Sequence, residues 1–108
     1  MRKADMITRI ADKTGIPKVD ILVALEAFFV EVKDSLENGE PVYMRGFGSF
    51  FIKKRAAKIA RNIKKNIAIE IPEQMLPAFK PSQEFVDLVK NSKHAAKGLN
   101  KPDTDNAE

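Results

Sequence analysis

The side chains with the most obvious chemistry in this chain are cations. Between Arg45 and Ile69 lie eight Lys or Arg residues (Arg45, Lys53, Lys54, Arg55, Lys58, Arg61, Lys64 and Lys65) and no acid. Charges of one sign at that density repel each other and call for an external polyanion to neutralise them. In an arbitrary chain such a run is usually a solvated face. Here strand signals flank it on both sides. Ser49 to Ile52 is β-rich going in, and Ile67-Ala68-Ile69-Glu70-Ile71 alternates coming out. Between them, Asn62-Ile63-Lys64-Lys65-Asn66 tolerates a turn at its Asn ends. The stretch reads as a β-ribbon arm over about residues 53–70, projecting because its cations and small residues cannot bury themselves. One apolar residue, Ile63, stands exposed near its tip.

Other chemistries find little footing. The single histidine, His94, lies outside any patterned segment, and there is no cysteine. Disulfides and thiolate metal sites are thereby excluded, in keeping with a reducing cytoplasm. No Ser-His-Asp arrangement and no phosphate-binding glycine loop is present. Gly46 and Gly48 are too close together for a nucleotide fingerprint and read as a turn. The expectation is a protein without catalytic activity, cofactor or metal. No apolar run approaches the roughly twenty residues that span a bilayer, and the N-terminus lacks a signal-like core. A soluble, intracellular protein follows. No amphipathic basic helix accompanies the ribbon, which argues against a membrane surface as the polyanion. Charge alone fits RNA as well as DNA.

The elements that would hold the arm come before and after it. Residues 1–40 carry a charge balance of −2 and residues 41–108 one of +6, so the first part reads as scaffold and the second as contact surface. From about Arg2 to Lys13, Met6, Ile7, Ile10 and Ala11 fall on one helical face, and Gly15 suits the left-handed position beyond the helix end. A longer helix, about Lys18 to Asn38, carries Ile21, Leu22, Leu25, Phe28, Phe29, Val32 and Leu36 as a wide apolar stripe. Phe28 and Phe29 at this spacing read as core. A short strand at Pro41–Met44, a glycine turn and a second strand from Ser49 lead into the arm. The third strand returns over Ile67–Ile71 and continues inward through Met75-Leu76-Pro77-Ala78-Phe79. Ser82 is a good N-cap for a last helix to about Asn91, with Phe85, Val86, Leu88 and Val89 toward the core. Residues 92–108 have almost no large apolar side chains and read as a disordered tail. Neighbouring Phe50 and Phe51 point to opposite faces of the sheet, and covering both requires a second subunit. The expectation is an α+β fold: an N-terminal helical hairpin, a three-stranded antiparallel sheet extended into the arm, and a C-terminal helix. It would be assembled as a homodimer or with a close paralogue.

With that order in place, residues 1–91 resemble the bacterial HU/IHF family of histone-like, DNA-bending proteins. The resemblance rests on Gly46-Phe47-Gly48-Ser49-Phe50, Arg55-Ala56-Ala57, Arg61-Asn62, Glu70-Ile71-Pro72 and Pro77-Ala78-Phe79-Lys80-Pro81. It implies an intertwined dimer in the bacterial nucleoid, sharing a core that includes Phe28, Phe29, Phe47, Phe50 and Phe79. Two arms would curl around the minor groove of double-stranded DNA, each wedging an apolar tip residue between base pairs. Here the wedge would be Ile63, where the family carries proline; Asn66 replaces the family's tip glycine. The implied DNA-binding set is Lys3, Arg45, Lys53, Arg55, Lys58, Arg61, Asn62, Ile63, Lys64, Lys65 and Lys80, with Arg61 and Asn62 in the groove. Family-basic positions of the last helix are Gln83 and Val86, which transfers phosphate contact on that flank to Lys80, Lys90 and the helix N-terminus. Sequence preference would be low, favouring bent, nicked or junction DNA. A site-specific IHF-like role and RNA binding are the alternatives.

Overall fold

Helix α1 (Lys3–Thr14) starts where the Asp5 carboxylate accepts the backbone N–H of Arg2 at 3.1 Å, a first-turn acid satisfying an amide that no helical carbonyl reaches. It stops at Gly15, which sits in the left-handed region at φ 76°. The computed structural model describes residues 1–99. Helix α2 (Lys18–Glu37) begins directly after Pro17, with Asp20 in its first turn. The hairpin is closed by Ile7 and Ile21, both 7% exposed. Burying each contributes about 1.5–3 kcal/mol. Lys3 on α1 pairs with Glu26 on α2 across the same seam.

Five strands follow: β1 (Val42–Met44), β2 (Gly48–Arg55), β3 (Lys58–Asn62), β4 (Ile67–Ile71) and β5 (Gln74–Pro81). They form two antiparallel sheets. The body sheet has three strands in the order β1-β2-β5, and β3 pairs only with β4. Ile67–Ile71, expected to be the outer part of one returning strand, is thus separate from the strand that completes the body sheet. Arg55 pairs with Gln74 and Lys58 with Ile71, so Ala56-Ala57 and Pro72-Glu73 face each other without ladder partners. Pro72 has no N–H to donate, which helps end the body ladder there.

Gly48 is required by close approach. A Cβ at this position would lie 2.5 Å from the Lys80 carbonyl oxygen and 2.6 Å from the Phe79 ring. Helix α3 (Gln83–Lys90) is capped by Ser82, whose Oγ accepts the Phe85 N–H at 3.1 Å. Its apolar side differs from the expected one. Phe85, Val86 and Val89 border a shared hollow with Phe79 and Pro81, whereas Leu88 is 70% exposed beside Glu84, Asp87 and Asn91. At 100° per residue, Leu88 falls more than a quarter-turn from the centre of that trio. Ala95–Gly98 forms a 3₁₀ turn within the segment expected to be disordered; residues 100–108 of that segment lie outside the described residues.

The body is left open. Phe29, Phe47 and Phe79 are 37%, 47% and 39% exposed, and no large side chain among the described residues is fully buried.

Candidate nucleic-acid interface

The arm rises from the body in two stages. At its base, Lys53, Lys54 and Arg55 at the end of β2 face Leu76, Met75 and Gln74 on β5. Lys54 is tied to Glu73 at 3.2 Å. Beyond the unpaired Ala56-Ala57, β3 and β4 form the outer ribbon. Directly opposed residues share a face in such a pair. Ile59 with Glu70 and Arg61 with Ala68 therefore occupy one side; Lys58 with Ile71, Ala60 with Ile69 and Asn62 with Ile67 occupy the other.

The tip is the four-residue loop Ile63–Asn66, closed below by the Asn62–Ile67 pair. Asn66 takes the left-handed conformation at φ 52° that the chain needs to turn back, and asparagine is among the few side chains that accept it readily. The Asn62 Oδ1 accepts the backbone N–H groups of Lys64 at 3.1 Å and of Lys65 at 3.3 Å. Ile63 is 90% exposed. Its isolation as the exposed apolar residue of the arm needs correcting, since Ile59, Ile67 and Ile69 are 76%, 52% and 46% exposed. A ribbon two strands wide has no second layer to cover either face.

Arg45, Lys53, Arg55, Lys58, Arg61, Lys64, Lys65 and Lys80 stand without an acidic partner within 4 Å among the described residues. Lys3 differs on two counts: it belongs to the helical hairpin, and its ammonium is engaged by Glu26. Arg45 and Lys80 come together. The turn between β1 and β2 and the end of β5 line an open hollow of about 580 Å³ with Ser82, Gln83 and Tyr43. Tyr43, 76% exposed there, was not singled out from sequence, because a three-residue strand offers too little alternation to mark it. Lys90 is elsewhere, at the opposite end of α3 beside the hollow under Phe85 and Val89. The flank next to the α3 N-terminus is thus lined by Arg45 and Lys80 without it.

Six of the seven phenylalanines form a connected cluster, and Phe51 makes no ring contact with them. Ring centroids of Phe50 and Phe79 are 5.0 Å apart, Phe47 and Phe79 5.2 Å, and Phe47 and Phe85 5.4 Å. Phe28 joins through Phe50 at 6.4 Å and Phe29 through Phe28 at 6.2 Å. Phe85 is the member absent from the core set expected of the family resemblance, although its helical face reads as inward. A second apolar hollow, about 510 Å³, opens between Val32 and Leu36 on α2 and Phe50, Ile52, Met75 and Leu76 on the sheet.

Residues 1–90 match the family model described as bacterial DNA-binding protein. The chain is 42% identical over 89 residues to the DNA-binding protein HU of Clostridium pasteurianum, covering 82% of this chain and 98% of that protein. It is 37% identical over 90 residues to the HU of Geobacillus stearothermophilus, covering 83% and 100%. Among solved structures, an Anabaena HU–DNA cocrystal structure superposes with a TM-score of 0.79 at 30% identity, over 85% of this chain and all of that one. The V42I mutant of Thermotoga maritima HU gives a TM-score of 0.62 at 27% identity, over 82% and 99%.

Proposed function

We propose, from the premise that this chain belongs to the bacterial HU/IHF family of DNA-binding proteins, that it is a non-enzymatic architectural protein. It binds and bends double-stranded DNA as a dimer on the bacterial nucleoid. The observation that carries this reading is the arm: cations without acidic partners along a two-stranded ribbon, ending in a 90% exposed isoleucine. Phosphates would neutralise Lys53, Arg55, Lys58, Lys64 and Lys65 along the arm and Arg45 and Lys80 on the body flank. Arg61, one rung below the pair that closes the tip, would enter the minor groove, where the donor and acceptor pattern is degenerate and gives little base selectivity. HU and IHF are among the minor-groove proteins that insert apolar wedges between base steps, and isoleucine is one of the residue types that serve. Ile63 is the candidate here by that analogy.

The open core calls for a second subunit. Phe29, Phe47, Phe79, Val86 and Val89 are too exposed for a stable monomer, and two copies packed over the phenylalanine cluster would cover them. No helix among the described residues is long and apolar enough to cross a membrane.

The test is a titration of linear, nicked and four-way-junction DNA, with the complex sized in solution. The expected outcome is a dimer on each, tighter on the nicked and junction forms because these cost less to deform. With about six to ten phosphate contacts, affinity falls by about 10³- to 10⁵-fold between 50 and 200 mM salt. A monomer, or indifference to duplex at low salt, refutes the reading. Arg61→Ala separates the low-specificity role from a site-specific one: it should weaken binding to many sequences about equally, and a loss confined to one site would favour the latter. Duplex RNA of equal length is the competitor that tests RNA as the polymer.

A further inference from the structure

We infer that Asn62 is a positioning residue for the wedge, its side-chain oxygen occupied in holding the tip loop and unavailable for reading the groove. This deepens the DNA-bending reading and rests on it. The tip loop Ile63-Lys64-Lys65-Asn66 contains neither proline nor glycine. Nothing intrinsic therefore fixes φ at Ile63, as a proline ring would. A side chain with 90% of its surface in water also has no packing to hold it. What restrains the loop is Asn62. Its backbone pairs with Ile67 at the last rung of the ribbon, and its Oδ1 accepts from both Lys64 and Lys65. Those two bonds span the residue between them, so the Ile63 backbone is enclosed in a small hydrogen-bonded ring, an Asx turn. Asn62 is also half-buried, unlike the four loop residues above it.

The bonds use the acceptor and leave only the amide NH₂ for a base edge. An apolar wedge acts by direction. One that samples many orientations loses contact with the base step while the lysines around it still find phosphates. The consequence is a split between affinity, set by cations, and bend, set by Asn62.

The experiment compares wild type, Asn62→Ala, Asn62→Asp and the double variant Asn62→Ala/Ile63→Pro. In the free protein, the Lys64 amide order parameter should be about 0.85 in wild type and fall below about 0.6 in Asn62→Ala. Asn62→Asp, which keeps the acceptor and loses the NH₂ donor, should retain the wild-type value. The double variant, whose proline restores a fixed φ, should recover most of it. At saturating protein, where affinity no longer matters, FRET bend angles of wild type, Asn62→Ala and the double variant should follow the same order. Each bend angle is read at a protein concentration that saturates that variant's own binding curve. An unchanged Lys64 amide or unchanged bend in Asn62→Ala overturns the inference. So does an Asn62→Asp variant whose Lys64 amide loosens as fully as alanine's in the free protein, because the side-chain acceptor would then not be what holds the loop. A wild type that fails to bend DNA while the amide order parameters follow the expected pattern would count against the proposed function and leave the loop-holding role established.

Discussion

At the scale of single residues, Ile63 and Gly48 illustrate two kinds of sensitivity. Ile63 touches almost nothing in its own chain, so removing it leaves the fold alone. Ile63→Ala should keep binding within a few fold and lower the bend angle seen by FRET or circularisation; an unchanged angle would exclude Ile63 from bending. Gly48 is the opposite case. Its missing Cβ is filled by the Lys80 carbonyl and the Phe79 ring, both part of the body. Gly48→Ala must push β2 from β5 or displace Phe79 from the aromatic cluster. We expect a loss of at least about 2 kcal/mol and a fall in Tm of roughly 10 °C for a domain of this size. Thermal melts followed by circular dichroism would read it. The glycine turn was legible in sequence, but only the fold shows that Gly46 takes a positive φ of 80° while Gly48 is required by close approach. That assignment depends on β5, a strand more than twenty residues away in the chain.

At the scale of elements, the helices and the arm were legible for different reasons. Periodic apolar residues with a glycine stop marked α1 and α2, and the serine cap marked α3. The arm was legible from charge. What the local pattern did not carry was pairing: that β2 belongs to the body through Arg55, that the outer ribbon is a separate ladder, and that Leu88 turns away from its neighbours. These follow from registers and packing between distant segments. Separate ladders allow a direct test. Replacing residues 58–71 with a two-residue Asn-Gly turn should leave the body folded, because none of the body-sheet pairs lies in that segment. It removes Lys58, Arg61, Lys64 and Lys65, four cations per arm. The slope of log K against log salt should become shallower by up to about 7 for a dimer. A shortened protein with unchanged salt dependence would place the phosphate contacts on the body instead.

At the scale of the whole molecule, the open phenylalanine cluster makes stability a matter of concentration. An assembly that folds by covering Phe29, Phe47 and Phe79 with a second copy must have a melting temperature that rises with protein concentration. Melts across a hundredfold dilution, paired with sedimentation, should show dissociation and unfolding together. A concentration-independent Tm would mean that the protomer is stable with its aromatic surface in water. The need for a partner could be sensed in sequence from adjacent Phe50 and Phe51. The area left open could not, because it depends on how far the hairpin, sheet and α3 cover one another.

The missing rungs at Ala56-Ala57 and Pro72-Glu73 bear on how this protein tolerates damage. Hydrogen bonds above the gap are shared by no strand below it, so melting or clipping the outer ribbon forfeits only what the ribbon itself supplies. Amides of residues 58–71 should then exchange with solvent long before those of Gly48 to Ile52. The molecule is in effect a stable handle fitted with a replaceable blade, and changes at the cutting end need not be felt in the grip.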